Sequence, residues 1–331
     1  MAYEKSVFVP LDADETFALV TRPDRLRRWQ AITARVDLRA GGEYRWTIIP
    51  GHTARGTFTE VEPGRRVVFT WGWEDDGNLP PGASTVIITL EPAAGGTTIH
   101  LVHEGLTGEQ EAMHAMGWDH YLGRLADAAA EGDAGPDEWG AGPGEPGLVA
   151  TAAAALAACQ RVLAGMTDAD SGRATVCTEF TVAQLTDHLV GSITALGGAA
   201  GGEFGPPAAA TLEERVADPA QVALEAWDRR GTDGTVRIGE NDMPATMALS
   251  ILCIELLVHG WDYAAATGQQ LTVADPVAAH VLDLASHIIR PEMRDGKNFA
   301  EAQPCGPDAG VMDRLVAFTG RPRDAGSLSP A

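Results

Sequence analysis

Residues 255–262 read ELLVHGWD and lie late in a long apolar run, residues 243–266. The length and apolar character of that run predict a helix. On a helix Glu255 and His259 are four apart, so they project from one face, one turn from each other. Asp262 follows three residues further along the same face. Leu256, Leu257 and Val258 flank this polar stripe with apolar side chains. A carboxylate and an imidazole on a mostly buried helix are costly unless they are paired or bound to a cation. The pair alone is compatible with a satisfied core contact between Glu255 and a neutral His259. It is equally compatible with two metal ligands facing into a helix bundle.

A second histidine bears on that choice. His188 sits in the amphipathic run 180–196, which Thr178 or Thr181 can start, and it too lies among apolar neighbours. One imidazole from this helix, joined to Glu255 and His259 from the other, gives three protein ligands with open coordination positions. That is the layout of a catalytic metal site; structural zinc sites are usually closed by four ligands. Two imidazoles and a carboxylate suit Zn²⁺, and the same donor set serves non-haem Fe(II). Asp262 is the candidate catalytic residue beside them, either orienting His259 or moving protons. Cys253 is two residues before Glu255, about 200° around the helix, and points away.

Three segments carry a resemblance. ELLVHGWDYAAATGQ, residues 255–269, resembles the metal-binding helix of the DinB-like, mycothiol-dependent maleylpyruvate isomerase family. FTVAQLTDHLVGS, residues 180–192, is similar to the family helix that supplies the first histidine. GPDAGVMDRLVAFTGRP, residues 306–322, resembles the end of a related actinobacterial metal-binding subfamily. The resemblance implies an all-α DinB-like four-helix bundle in which His188, Glu255 and His259 hold a divalent metal, zinc first, with nickel or iron(II) as alternatives. It also implies mycothiol or a similar low-molecular-weight thiol as co-substrate. The thiol adds to a small electrophilic substrate, and isomerisation or S-transfer follows. Arg290 and Arg294, after the helix expected at 276–289, are either a clamp for a substrate carboxylate or surface arginines.

The N-terminal part has a different periodicity. A strand through Val7 and Val9 ends at Pro10; helices follow at 15–20, capped by Asp12 or Asp14, and at 23–29. Strands at 34–38, 43–49, 54–60, 65–73, 84–90 and 97–104 are separated by turn signals such as Pro50-Gly51, Pro63-Gly64 and Gly95-Gly96. A long amphipathic helix spans 108–130. This order, with VFVPLDADETFALVTRPDRLRRW at 7–29, EVEPGRRVVFTW at 60–71 and GWDHYLGRLADAA at 117–129, resembles the START-like (SRPBCC) superfamily, in the branch of the activator of Hsp90 ATPase. The resemblance implies an α+β helix-grip domain whose curved sheet wraps the last helix around a cavity. Trp46, Trp71, Trp73, Met113 and Trp118 are candidate substrate-binding residues there, and are equally suited to plain core. Trp29 and Met116 belong to the same set. His100 and His103 fall on opposite strand faces; with His114 and His120 they read as solvated.

The expected organisation is a START-like domain at 1–131, a Gly/Pro-rich linker at 132–147 and a metal-binding bundle at 148–325. Helices are expected at 148–163, 181–196, 219–229, 243–266 and 276–289, with Asp275 capping the last, a loop at 197–209 and an extended piece at 235–241. The net charge of −22 disfavours a nucleic-acid partner, although Arg22, Arg25, Arg27, Arg28, Arg35, Arg39 and Arg45 cluster early and leave an anionic ligand open. No membrane partner is expected, because no uninterrupted apolar stretch reaches about 18 residues. Four scattered cysteines without C-x-x-C, and no signal segment, point to a reduced, cytoplasmic protein. The partners expected are a small substrate and a thiol, and a homodimer is compatible with the sequence. Three functions remain open: a metal- and thiol-dependent isomerase or transferase with the START-like domain gripping substrate; cyclase or hydrolase chemistry in the START-like cavity; and a ligand-binding module without turnover.

Overall fold

The computed structural model describes residues 2–140, 147–177, 180–206, 211–295, 299–306 and 308–322. The chain divides into two compact units, Met1–Asp137 and Glu138–Ala331.

The first unit runs β1 (Tyr3–Val9), α1 (Ala13–Thr21), α2 (Pro23–Leu26), β2 (Thr33–Val36), β3 (Glu43–Ile49), β4 (His52–Glu62), β5 (Arg66–Trp71), β6 (Ser84–Ala93), β7 (Gly96–Glu104) and α3 (Gly108–Glu131). The strands form one seven-stranded antiparallel sheet, ordered β1-β7-β6-β5-β4-β3-β2. Asp12 starts α1 by accepting the Glu15 N–H at 2.9 Å. Strand alternation sends Tyr44, Trp46, Phe58, Val67, Phe69, Trp71, Val86, Ile88, Ile99 and Leu101 to the core. Helix α3 closes over them with Trp118, Tyr121, Leu122 and Leu125, spaced three and four apart. Each large side chain fully buried here stabilises the fold by roughly 1.5–3 kcal/mol, so this aromatic stripe is a main reason the sheet and α3 stay together.

The first part of the expected linker belongs to this unit. Arg28 pairs with Asp133 at 3.2 Å, and Arg124 donates to the carbonyls of Gly135 and Pro136 at 2.8 and 3.1 Å. His120 meets Asp137 at 2.9 Å, so it is held, where the sequence read it as solvated. Composition showed a segment without anchors of its own; the anchors are arginines elsewhere in the unit.

The second unit runs α4 (Leu148–Ala164), α5 (Val182–Ala199), α6 (Leu212–Arg230), the hairpin β8 (Thr235–Ile238) and β9 (Asn241–Pro244), α7 (Ala245–Thr267), α8 (Asp275–Ile288) and α9 (Val311–Phe318). Helix α4 packs on α7 and α6, and α5 packs on α6 and α7, which closes a four-helix bundle; α8 lies on α7, and α9 on α8. Thr181 caps α5, with Gln184 reciprocating; Thr178 lies outside the described residues. Four expectations need correction. Helix α6 starts seven residues before Pro219, because Thr211 and Glu214 form a capping box there and the buried row Leu212, Val216, Ala220, Ala223 and Trp227 outweighs one missing N–H. Residues 197–199, expected to open a loop, are the last turn of α5. The extended piece returns on itself as a hairpin. Asp275 is the first residue of α8, and Ala274 is its cap.

Helix α7 is long and apolar enough to cross a membrane by length and composition alone. Here it is the central helix of the bundle, buried on nearly every side. Gly260 in its HGWD motif faces α4: a Cβ at this position would lie 3.1 Å from the Cα and Cβ of Cys159. Glycine therefore sets how closely α4 and α7 cross. Gly260→Val is expected to push the two helices apart and to destabilise the second unit by about 1–3 kcal/mol. Chemical denaturation followed by circular dichroism measures this, and an unchanged midpoint would contradict the packing account.

Candidate metal centre

The α5–α7 contact builds the centre. Leu185 and Leu189 bury one face of α5, and the Tyr263 hydroxyl donates to Thr186 Oγ1 at 3.1 Å, fixing the register between the helices. That register brings His188 from α5 against Glu255 and His259 on α7. His188 Nε2 lies 3.1 Å and His259 Nε2 3.5 Å from Glu255 Oε2. One ligand atom from each of the three residues falls within 4.8 Å of the others. His188 is the most open of the three, with Phe180 stacked on its ring at 5.4 Å, while His259 is buried. The cluster thus has one side toward solvent.

The hydrogen bonds show which atoms are free. Asp262, with no exposed surface, accepts from His259 Nδ1 at 2.8 Å. That bond assigns the Nδ1 proton and leaves Nε2 to face Glu255. Glu255 Oε2 is buried and has no hydrogen-bond partner of acceptable geometry, although both imidazoles approach it. Two imidazole nitrogens and a carboxylate oxygen converging without hydrogen bonds is the donor arrangement a divalent cation would satisfy. The residues present fit such a metal. Burial pushes His259 down, but Glu255 and Asp262 outweigh it and hold the imidazole well above its ordinary range. Burial alone would raise Glu255; His259 and His188 hold it well below the usual carboxylate range.

Asp262 is itself clamped. Arg321 donates from Nε to Oδ1 at 2.6 Å and from Nη2 to Oδ2 at 2.7 Å. Burial would raise the Asp262 carboxyl, but Arg321 and His259 hold it well below the usual range. Its bond to His259 Nδ1 holds that ring in place. Arg321 arrives because Gly320, at φ +84° after α9, turns the chain where a side chain would strike the Ala300 carbonyl. Cys177 completes the pocket, with Sγ 3.3 Å from Asp262 Oδ2 and 3.4 Å from Arg321 Nη2. Cys177, His259 and Asp262 also approach closely enough for a metal, but the guanidinium already supplies the cation to that carboxylate. Sequence reasoning missed both Cys177 and Arg321. Cys253 points away as expected, toward the Leu148 carbonyl. Arg290 is exposed at the head of a short 3₁₀ turn, and Arg294 donates its guanidinium to the carbonyls of Ala300 and Phe318.

In the first unit Trp46, Trp71 and Trp118 are buried at one end of the sheet, with Trp71 5.4 Å from Trp73 and 5.6 Å from Trp118 between ring centroids. Met113 and Met116 do not join them; each is 64 % exposed. They occupy the helix face opposite Trp118, and so are corrected as pocket candidates. Trp29 is core, its indole donating to the Leu19 carbonyl at 2.9 Å. His103 and His114, read as solvated, are part of this cluster. His100 faces the other way, as strand parity required, beside Ser6 and Glu91.

Known proteins share both halves of this architecture. Residues 10–130 match the model of the activator of Hsp90 ATPase homolog 1-like proteins, and residues 152–264 match the mycothiol maleylpyruvate isomerase N-terminal domain. The protein is therefore a START-like domain followed by a DinB-like domain. It belongs to the family of an uncharacterized protein of Mycobacterium tuberculosis, with which it is 32 % identical over 153 residues, 45 % of this chain and 84 % of the relative. Among solved structures, an activator-of-Hsp90-like protein of Rhizobium etli is 38 % identical over 42 % of this chain and 88 % of its own, with TM-score 0.36. DynU16, from a dynemicin biosynthetic locus, is 27 % identical with TM-score 0.36; the match covers 40 % of this chain and about half, 48 %, of DynU16.

Arg321→Met removes the guanidinium from the buried Asp262 carboxylate, leaves it only the His259 bond, and is expected to cost about 3–5 kcal/mol. Adding Asp262→Asn removes that charge, and the double variant is expected to recover most of the loss. Urea unfolding of the two single variants and the pair measures the coupling. Additive effects would contradict the clamp.

Proposed function

We propose that the second unit is a metal- and thiol-dependent enzyme domain. His188, Glu255 and His259 hold one divalent cation, zinc first, and the co-substrate is mycothiol or a similar low-molecular-weight thiol. The observation that carries this reading is the buried Glu255 Oε2, without a hydrogen bond and faced by two imidazole nitrogens. A cation bound there supplies positive charge that lowers the pKa of a thiol and polarises a carbonyl. The chain's own residues divide the remaining work. Arg321 fixes Asp262, and Asp262 fixes the His259 tautomer that presents Nε2. His188 stands on the open side, where thiol and substrate reach the centre. Glu255 and the two histidines, as ligands, are not free bases. The reaction class that fits is thiol addition to a small electrophile, followed by isomerisation or S-transfer. The first unit then binds a ligand for the chain.

Elemental analysis and titration calorimetry test this together. The purified protein should bind one zinc per chain, and His188→Ala and His259→Ala should each lose it. Mycothiol should bind the zinc-loaded protein at least tenfold more tightly than the metal-free protein, a difference of about 1.4 kcal/mol. Full zinc occupancy in both variants would overturn the ligand assignment, and metal-independent thiol binding would overturn the thiol role.

A further inference from the structure

The two histidines of the α5–α7 cluster are held in different ways. His259 is buried, and its Nδ1 is bonded to Asp262 at 2.8 Å. A ligating imidazole usually has such a partner on its second nitrogen, which fixes the ring and its tautomer. His188 has none: among the described residues no hydrogen bond holds its Nδ1, and its side chain is 39 % exposed. Its one polar contact is the approach of Nε2 to Glu255 Oε2 at 3.1 Å. The outer torsion of a histidine side chain is soft, so a ring held by that contact alone is free to turn Nε2 away from Glu255.

Two rings stand where the second hydrogen bond would be. The His259 ring meets His188 edge-on, with centroids 5.1 Å apart and planes at 88°. Phe180 lies face to face with it, with centroids 5.4 Å apart and planes at 23°. Aromatic pairs attract at this separation. A flat neighbour also opposes rotation of the imidazole, because turning drives the ring edge into it.

The backbone holds Phe180 in place. Its carbonyl accepts from the N–H and the hydroxyl of buried Thr175, at 3.2 and 2.8 Å. Its N–H donates to the Cys177 carbonyl at 2.7 Å. Ala174 forms a bridge with Thr181, the cap of α5, and the Val182 N–H donates to the Arg173 carbonyl at 2.9 Å. A residue just before an N-cap commonly packs on the first turn of its helix and sets the entry angle of the chain. Phe180 reaches past that turn to His188.

We infer that Phe180 is a positioning residue for the cation site. Its ring, stacked on His188, keeps Nε2 of that imidazole aimed at Glu255 Oε2, as the bond from Asp262 holds His259. The inference rests on the proposed metal centre and adds the residue that steadies its most exposed member.

Two substitutions in the full chain separate stacking from plain apolar cover. Phe180→Tyr keeps the flat ring; Phe180→Leu keeps apolar bulk without it. Zinc affinity, read by competition with a chromophoric chelator, should be unchanged in Phe180→Tyr. In Phe180→Leu it should fall about fivefold or more, the factor that one aromatic pair is worth. The visible bands of cobalt(II) bound in the site should likewise be kept by Phe180→Tyr and altered by Phe180→Leu. A metal-free readout accompanies these. In spectra of ¹³C-histidine-labelled protein the Phe180 ring current should move the His188 ring protons upfield, an effect kept by Phe180→Tyr and lost in Phe180→Leu, with His188→Gln assigning the signal. A Phe180→Leu variant whose urea midpoint falls while its zinc affinity falls less than about fivefold would overturn the inference, as would an equal loss of affinity in both variants. If the unsubstituted protein binds no zinc, the metal centre fails and this inference with it. If it binds zinc and Phe180→Leu binds as tightly, the inference alone fails. Where Phe180→Leu does not fold, the unsubstituted protein still decides: His188 ring protons without an upfield shift would overturn it.

Discussion

A carboxylate with no exposed surface, Asp262, lies in the most apolar helix of the chain, and the second unit is arranged around it. An unpaired charge at that depth is prohibitive. Arg321 covers both its oxygens and His259 donates to one of them. The pairing draws the segment after α9 onto α7 and fixes the His259 ring at the same time. The orientation of His259 and the docking of the C-terminal segment are thus one constraint. It reaches outward through Gly320, whose left-handed turn delivers Arg321, and inward through His259 to Glu255.

The centre on α5 and α7 combines rigidity with access. Its three residues stand on helices rather than loops, and their register is pinned by Tyr263 and Thr186. Gly260, inside the same motif, sets how near α4 approaches. The motif therefore combines the His259–Asp262 bond with the helix spacing within a few residues. The cluster is most open at His188. Two of the four cysteines, Cys159 and Cys253, are buried, with burial pushing Cys159 up to about 12. Cys177 faces a carboxylate and a guanidinium.

Much of this was legible in the sequence because its signals are local. The i, i+4 spacing of Glu255 and His259, the alternation in β5 to β7 and the cap at Thr181 all act over a few residues. What was not legible acts at long range. Arg321 sits 59 residues from Asp262, and nothing in its own neighbourhood marks it, although a buried acid in an apolar helix demands a cation from somewhere. His103 was read as solvated because strand parity gives a face but not which face is covered. The anchoring of residues 133–137 was hidden for the same reason, since it depends on Arg28 and Arg124. Helix α6 ran past Pro219 because packing along a whole face outweighs one lost hydrogen bond.

The central claim is that the cation is held by His188, Glu255 and His259, with the Asp262–Arg321 pair behind them and no sulfur from the chain. X-ray absorption at the zinc edge of the loaded protein, recorded without added thiol, tests it most directly. The account predicts a shell of nitrogen and oxygen donors with imidazole scattering and no sulfur, and a sulfur contribution that appears only when mycothiol is added. A sulfur ligand in the thiol-free protein, abolished by Cys177→Ser, would contradict it.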